Sequence, residues 1–296
     1  YGTVLDADGL PVCTAEGEQK KTRLAAGDDQ ALILWEDDRN YANTAYDIYG
    51  ARVALDGTVL DPGGMSIAQI DRFEEAPDIC WTGETFLAIW QSSYYGLEGD
   101  VFGTRVDTLG ALLDSVPQLL SSACDAQLSG SSAWGGQFYL TIWDGGGDLQ
   151  GTRVDHFGNI LDSTGIDVSS VPESQAAPDV VWGGQNLFAV WEDSRAGKPD
   201  IYGARIDSLG QVLDTLGLPI SLDPATDKRL PAIAHDGGNY LVVWQQMLDS
   251  TGSYYRVEGI RISADGVPIG PQSFSISSGD KAGNPDLAFG GGNYLV

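Results

Sequence analysis

The clearest copy of a repeated unit reads Pro178-Asp-Val-Val-Trp-Gly-Gly-Gln-Asn-Leu-Phe-Ala-Val-Trp191, then Glu-Asp-Ser-Arg-Ala-Gly-Lys-Pro, then Asp200-Ile-Tyr-Gly-Ala-Arg-Ile-Asp-Ser-Leu-Gly-Gln-Val-Leu-Asp214. Short runs of β-branched and aromatic residues alternate with Gly, Asp, Asn and Pro, which is typical of consecutive hairpins. The pattern predicts strand A over Asp179–Trp182, strand B over Leu187–Trp191, strand C over Ile201–Ile206 and strand D after Gly210. No segment carries an amphipathic helical period, so we predict an all-β protein.

Pairs of glycines seven residues apart repeat this unit, at Gly2/Gly9, Gly50/Gly57, Gly103/Gly110, Gly151/Gly158, Gly203/Gly210 and Gly259/Gly266. The tryptophan that ends strand B recurs as Trp35, Trp90, Trp143, Trp191 and Trp244. A period of about 50 residues indicates one supersecondary unit copied in tandem. Four-stranded antiparallel units repeated radially are typical of β-propellers. We therefore predict that residues 1–296 form a single domain, a six-bladed β-propeller of four-stranded antiparallel blades.

The two ends of the chain predict a blade that is split between the termini. Tyr1 and Gly2 match the middle of a strand C, and Tyr294–Val296 match a strand B. Residues 1–12 would pair with residues 285–296 to complete the sixth blade. The alternative is that these half-blades pair between molecules, which would give a homo-oligomer or a filament.

Composition excludes several partners. The chain has 42 acidic and 16 basic residues and a net charge of −26, which opposes binding to nucleic acid or to an anionic membrane surface. No stretch approaches the roughly 20 apolar residues that span a bilayer, so membrane insertion is not expected. The first residue is Tyr rather than Met, which indicates a mature or trimmed product. Together with the acidic composition, this favours an extracellular or cell-surface protein.

The motif Trp-Glu-Asp-x-Arg is the strongest candidate for a binding group. It occurs at residues 35–39 and 191–195, where strand B leaves the sheet. The B–C and D–A loops of a propeller share one face, so Asp37, Arg39, Asp193 and Arg195 are candidates for contact with a carbohydrate or a cation. The alternative is loop structure, in which each Asp accepts backbone N–H bonds and pairs with its Arg.

A second row of charges recurs two residues after the strand C glycine, at Arg52, Arg105, Arg153, Arg205 and Arg261. We predict that these arginines make structural pairs with Asp47, Asp100, Asp148 and Asp200 rather than a sialidase-like arginine cluster. The acidic turns invite comparison with calcium loops, but none has the Asp-x-Asp-x-Asp-Gly series. No metal or other cofactor is expected, with calcium as the weaker alternative.

The B–C connections differ from one another, and a unique site is expected where copies disagree. One connection shrinks to Asp144-Gly-Gly-Gly-Asp148, while the long ones carry Tyr41, Tyr46, Tyr94, Tyr95, Tyr254 and Tyr255. Exposed loop tyrosines are good groups for stacking on sugars or contacting a protein. We take Tyr94, Tyr95, Tyr254 and Tyr255 as candidate ligand-binding residues; the alternative is that the tyrosines pack on neighbouring loops.

The sequence assigns no catalytic residue. His156 and His235 stand in no Ser/His/Asp set, and the three cysteines, Cys13, Cys80 and Cys124, lack a neighbouring histidine in the pattern. Their disulfide state is left open. Carboxylate pairs for glycoside hydrolysis are too numerous among 42 acids to be identified by spacing.

The string Trp-Glu-Asp-x-Arg…Asp-Ile-Tyr-Gly-Ala-Arg resembles a repeat found in secreted and surface-anchored bacterial and archaeal proteins. The resemblance covers nearly the whole chain and is strongest at Trp35–Asp61 and Trp191–Asp214. It implies a propeller fold, an extracellular location and a scaffold or binding role, and it supplies no catalytic residues.

Two functions follow from these observations. The main prediction is a non-enzymatic extracellular scaffold used for surface adhesion, assembly or ligand binding, with a carbohydrate or protein as its ligand. The alternative is a secreted polysaccharide-active enzyme, such as a glycoside hydrolase, a lyase or a sialidase-like enzyme, with its site on the B–C loop face. Fold alone does not decide between them.

Overall fold

The computed structural model describes residues 8–70, 72–94, 99–121, 127–221 (backbone only at 127–129), 226–249, 252, 254–270, 273–278 and 281–296. The protein is 55% strand and 2% helix, so the predicted all-β class is confirmed. Within those residues, no helix has the length and apolar character needed to cross a bilayer. The chain divides into two compact units, Tyr1–Leu119 and Leu120–Val296.

The first unit contains two four-stranded antiparallel sheets. Blade 1 consists of β1 (Gln19–Ala26), β2 (Gln30–Asp37), β3 (Asp47–Ala54) and β4 (Met65–Ala68). Blade 2 consists of β5 (Phe73–Trp81), β6 (Phe86–Ser93), β7 (Asp100–Val106) and β8 (Gln118–Ser121). A four-residue helix, α1 (Tyr41–Thr44), lies between β2 and β3.

The second unit contains three further sheets of the same topology and a terminal hairpin. Blade 3 consists of β9 (Gln127–Trp134), β10 (Phe138–Gly145), β11 (Asp148–Asp155) and β12 (Ile166–Ser169). Blade 4 consists of β13 (Gln175–Trp182), β14 (Leu187–Asp193), β15 (Asp200–Ile206) and β16 (Leu218–Pro219). Blade 5 consists of β17 (Lys228–His235), β18 (Asn239–Met247), β19 (Tyr255–Ser263) and β20 (Phe274–Ser275). The hairpin is β21 (Ala288–Gly290) and β22 (Asn293–Leu295).

The four predicted strands of blade 4 correspond to β13–β16, with small differences in their ends. Strands B and C are longer than predicted by two residues and one residue, and strand A begins four residues earlier, at Gln175. The split sixth blade stays a prediction. Residues 1–7 lie outside the described residues, and residues 8–12 hold no strand, while residues 288–295 form the hairpin of β21 and β22.

The core of each unit lies between successive sheets. In the second unit, Ile142 of β10 packs in one buried cluster with Ala189 and Trp191 of β14. On the other face of β14, Phe188 and Val190 pack with Trp244 of β18. Strand B is therefore buried on both faces, which explains why its apolar residues run continuously instead of alternating.

The two glycines of a repeated pair are required for different structural reasons. A Cβ on Gly203 would lie 2.6 Å from the Phe188 ring and 2.8 Å from the Ala189 carbonyl oxygen of the adjacent strand. The second glycine, Gly210, has a φ of +79°, in the left-handed region that favours glycine. The glycine pair therefore allows close approach of strands B and C and then a tight turn.

Strand A carries a bulge that the sequence analysis missed. A non-glycine residue with φ between 49° and 53° stands there in blades 1, 2, 4 and 5 and just before the terminal hairpin, at Lys21, Ala76, Ala177, Leu230 and Asn284. Where its strand pairing is described, the register shifts at this point.

In the first unit, the Ala76 N–H donates to Glu36 Oε1 of the preceding blade at 2.7 Å. In the second unit, the Leu230 N–H donates to Glu192 Oε1 at 2.8 Å. The glutamate of the Trp-Glu-Asp motif thus fastens one sheet to the next.

The repeated arginines make structural pairs, but the predicted partners are wrong. Arg52 pairs with Asp61 at 2.8 Å, nine residues later in the same blade, and Arg205 pairs with Asp214 at 2.8 Å. Arg105 and Arg153 form the equivalent pairs with Asp114 and Asp162. The chain returns after the C–D turn and places this aspartate beside the arginine, whereas Asp47, Asp100, Asp148 and Asp200 lie at the opposite end of strand C.

Candidate functional site

The Trp-Glu-Asp-x-Arg groups lie at the edge of each sheet where strand B ends and strand C begins, which we call the B–C end. Asp37 is fully buried and accepts hydrogen bonds from Trp35 Nε1 at 2.8 Å and from Arg39 Nε at 2.8 Å. These bonds outweigh the effect of burial and lower the pKa of Asp37. The Arg39 guanidinium also lies 3.9 Å from the Tyr49 ring centroid. Asp37 and Arg39 therefore form a closed internal pair.

Blade 4 repeats this arrangement in the second unit. Asp193 accepts bonds from Trp191 Nε1 at 3.0 Å and from Arg195 Nε at 2.8 Å, and Arg195 lies 4.1 Å from the Tyr202 ring centroid. The four motif residues thus form two internal Asp–Arg pairs, as expected from the alternative in which they stabilise the loop. Ligand contact by Asp37, Arg39, Asp193 and Arg195 stays a prediction, and only the arginines retain some exposure, 18% and 22% of their side chains.

The predicted tyrosines that the structure describes fall in both units, Tyr94 in the first and Tyr254 and Tyr255 in the second. Tyr94 and Tyr254 are about half exposed, Tyr255 is half-buried at the start of β19, and Tyr95 lies outside the described residues. The Lys281 ammonium lies 5.9 Å from the Tyr254 ring centroid. Their role in ligand binding stays a prediction.

Blade 1 presents a different aromatic group at its B–C end. Tyr41 of α1 meets Tyr46 edge-on with ring centroids 5.4 Å apart, and Phe73 lies 6.4 Å from Tyr41. The Lys20 ammonium covers one ring face of Tyr46 at 3.8 Å from its centroid. Tyr41 itself is 52% exposed. The loop tyrosines of this blade therefore pack on one another and still leave one ring open to solvent.

Beneath this aromatic group lies a buried carboxyl, Glu74. It is fully buried and accepts a hydrogen bond from Ser92 Oγ at 3.0 Å. Burial raises the pKa of Glu74 to about 7, and the nearby charge of Asp47 adds to the effect. Glutamine stands at the equivalent positions in blades 1 and 4, Gln19 and Gln175. Because Glu74 is closed off from solvent, its ionisation bears on stability rather than on contact with a ligand.

Blade 3 departs from the repeat at the residue after its tryptophan. Asp144 stands where blades 1 and 4 have Glu36 and Glu192 and is one methylene shorter. Its carboxylate accepts a hydrogen bond from the Gly147 N–H of its own hairpin, and burial raises the pKa of Asp144. The connection beyond it is a two-residue turn, Gly146 and Gly147, both with positive φ. Asp144 is thus a half-exposed carboxyl at the shortest B–C connection among those of the described blades.

The charge of Asp144 acts on Glu192 of the next blade. Burial raises the pKa of Glu192, and the Asp144 carboxylate raises it further. The Leu230 N–H and the Arg229 guanidinium, 3.5 Å from Glu192 Oε2, act in the opposite direction. The second unit therefore holds two electrostatically coupled carboxyls with different partners, and the pKa of each is raised.

The cysteines and acids of the described residues show no sign of a metal centre. No group of three or more His, Cys, Asp or Glu side chains suited to an ion occurs in that part of the chain. Cys13 is a half-buried free thiol and Cys80 is buried, while Cys124 lies outside the described residues.

Comparison with known proteins gives likeness in structure only. No protein-family model matches the chain, and no curated protein matches it in sequence. A family 43 endo-arabinanase from Bacillus licheniformis shares 11% identity, with a TM-score of 0.50 over 87% of this chain and 99% of that one. An exo-1,5-α-L-arabinanase from a bovine ruminal metagenomic library shares 12% identity, with a TM-score of 0.50 over 86% and 98%. An exo-β-1,3-galactanase from Phanerochaete chrysosporium, solved with galactose, shares 12% identity, with a TM-score of 0.51 over 93% and 66%.

These neighbours confirm the fold class and correct the functional prediction. They have five- or six-bladed β-propeller folds, so the predicted propeller of four-stranded antiparallel blades is confirmed. The prediction of a non-enzymatic adhesion or assembly scaffold is wrong, because the three neighbours named above, which share this fold over most of the chain, are glycoside hydrolases. The repeated residues are indeed structural, but their structural role does not exclude catalysis by residues that differ between blades.

Sequence reasoning missed both carboxyls of the second unit. Glu192 was passed over because it belongs to a repeated motif, and Asp144 because one acid among 42 carries no signal of its own. A signal was nevertheless present. Asp144 begins the connection whose unusual shortness the sequence shows, and it replaces a glutamate of the repeat.

Proposed function

We propose that this protein is a glycoside hydrolase that cleaves polysaccharides at the B–C end of blades 3 and 4. The observation that carries the proposal concerns the hydrogen bond that each of these carboxylates accepts. Glu36 and Glu192 accept one from a backbone N–H of the next blade, whereas Asp144 accepts one from its own hairpin. A half-exposed carboxyl coupled to a second one is what hydrolysis of a glycosidic bond requires. The shared fold with family 43 enzymes supports this proposal.

The contacts assign different roles to the two carboxyls. Asp144 is partly exposed and burial raises its pKa, which favours the protonated form, so we assign it as the general acid that protonates the leaving oxygen. Glu192 is held by the Leu230 N–H and by Arg229, and both contacts favour its ionised form. It would act either as the base that activates water or as the nucleophile. The stereochemistry of the product distinguishes these two cases, because it depends on the separation of the carboxyls.

The proposal includes an extracellular location. A polymer supplied from outside the cell would be cleaved before uptake, which is the setting that we propose. The net charge of −26 and the presence of only five lysines fit a protein exposed to bulk solvent. Lyase and sialidase-like activities, which the sequence analysis kept beside hydrolysis, are outcomes that product analysis would identify.

The test is release of reducing ends from arabinan and from β-1,3-galactan by the full chain. We expect Asp144→Asn and Glu192→Gln each to lower the rate by at least about 100-fold, in the range of general acid–base effects. The matched control is Glu36→Gln, which makes the same change at the equivalent position of the first unit and should leave the rate within about twofold. Absence of cleavage by the wild-type chain, or full activity of Asp144→Asn, would overturn the proposal.

A further inference from the structure

The segment between β2 and β3 of blade 1 carries an exposed tyrosine, Tyr41, on a backbone that hydrogen bonds hold in place. The Tyr41 N–H donates to the Asp38 carbonyl oxygen at 2.9 Å, and the Ala45 N–H donates to the Tyr41 carbonyl oxygen at 3.1 Å. Buried Asp47 accepts a hydrogen bond from Thr44 Oγ1 at 3.0 Å. Hydrogen bonds thus fix the backbone before and after Tyr41, and Thr44 ties the end of the short helix to buried Asp47. An aromatic side chain held in this way loses little conformational entropy when it binds a ligand.

The neighbouring rings fix the orientation of Tyr41 without covering it. Tyr46 meets the Tyr41 ring at 75° and Phe73 meets it at 73°, both edge-to-face. Lys20 occupies a face of Tyr46, so that ring is already engaged. Tyr41 remains 52% exposed and is the open member of the group. The B–C connections of blades 3 and 4, which are described throughout, differ from this one: blade 3 has Gly146 and Gly147, and residues 194–199 of blade 4 include no aromatic side chain.

We propose that Tyr41, supported by Tyr46 and Phe73, is a stacking site for a sugar ring of a polysaccharide chain. The apolar C–H face of a sugar fits a flat, fixed aromatic ring, and the tyrosine hydroxyl adds a polar edge. The choice of a polysaccharide rests on the proposed function, whereas the stacking geometry does not. This site lies in the first unit and uses none of the residues assigned to catalysis, so it would hold polymer rather than cleave it.

Two lysines near the proposed stacking site, Lys20 and Lys21, bear on which class of sugar it would bind. Lys20 and Lys21 both pair with Glu36, with Nζ–oxygen distances of 3.6 Å and 2.8 Å. Two ammonium groups share the Glu36 carboxylate, and Glu18 adds a further negative charge near Lys20. A uronic acid unit would gain from Lys21, whose side chain is 53% exposed, while a neutral sugar would rely on stacking alone. Stacking is common to both classes of sugar.

Retention in native affinity gels tests the proposal. The gels contain arabinan, β-1,3-galactan or polygalacturonan, and the protein carries Asp144→Asn so that the polymer stays intact. We expect Tyr41→Ala to weaken retention at least tenfold in one or more gels. Tyr41→Phe keeps the ring and should retain binding, and Tyr41→Leu keeps the bulk without a flat ring and should lose it. Preference for polygalacturonan over the neutral polymers would identify an acidic sugar.

The outcomes separate this site from the proposed activity. Equal retention of Tyr41→Ala and its parent, or no retention in any gel, would overturn the stacking site whether or not the wild-type chain cleaves polymer. Retention that depends on the Tyr41 ring in a chain that cleaves nothing would support the stacking site and reject the hydrolase. A thermal midpoint of Tyr41→Ala close to that of its parent shows that the loss is not due to unfolding.

Discussion

Replacing Glu74 with glutamine should remove about 3 kcal/mol of the pH dependence of stability between pH 4.5 and about 7. Glu74 is fully buried, and burial raises its pKa from 4.5 to about 7. In the unfolded chain the carboxyl ionises near pH 4.5, while in the folded chain it keeps its proton up to about pH 7. The folded state therefore binds more protons in this window, and stability falls as the pH rises through it.

The size of the effect follows from the two pKa values. Their difference corresponds to about 3 kcal/mol of unfolding free energy, present below pH 4.5 and lost by pH 8. Glutamine has the shape of a protonated glutamate and still accepts the hydrogen bond from Ser92 Oγ. It is also the residue at the equivalent positions 19 and 175. We therefore expect Glu74→Gln to gain about 3 kcal/mol over the wild type between pH 4 and pH 8.

Urea unfolding at a series of pH values measures this difference. A gain of about 3 kcal/mol moves the midpoint by roughly 1 M urea for a denaturant slope of ordinary size. Glu84→Gln is the control, because Glu84 is exposed and its substitution should leave the pH profile unchanged. If the wild type and Glu74→Gln show the same pH profile, Glu74 is not a buried protonated carboxyl and the reasoning fails.

Three further substitutions test other parts of the structure. Arg195→Lys keeps the charge but loses the two-pronged contact with Asp193, and we expect a cost of about 1.5–3 kcal/mol in urea unfolding; no change would show that the charge alone matters. Gly203→Ala forces a methyl group against strand B and should cost about 1–3 kcal/mol, whereas Gly290→Ala, with no atom within 4 Å of its added Cβ, should cost under about 0.5 kcal/mol; equal costs would contradict the packing argument. The Cys80 thiol is buried and should react with a thiol reagent only after unfolding, so rapid labelling in native buffer would refute its placement.

The blade itself was predictable because its determinants are local. A glycine such as Gly210 marks a turn that requires positive φ, and a tryptophan such as Trp191 marks the end of a strand buried on both faces. These requirements act over a few residues and recur with the period of the unit, so they are visible in one sequence. The bulge of strand A was not visible. Leu230 has a positive φ where its N–H donates to the Glu192 carboxylate of another blade, and this contact spans 38 positions.

The candidate site depended on the tertiary structure for the same reason. Local pattern determines the strands, the turns and the four-stranded unit, because backbone conformation and burial of neighbouring side chains are set by nearby residues. The relation between Asp144 and Glu192 arises only when one blade packs on the next. Their pKa values depend on burial and on charges far away in sequence, so 42 acids look alike until the chain is folded. The sequence thus determined the repeated scaffold, whereas folding decided which of the acids lies half-buried, coupled to a second carboxyl and bonded within its own hairpin rather than to the next blade.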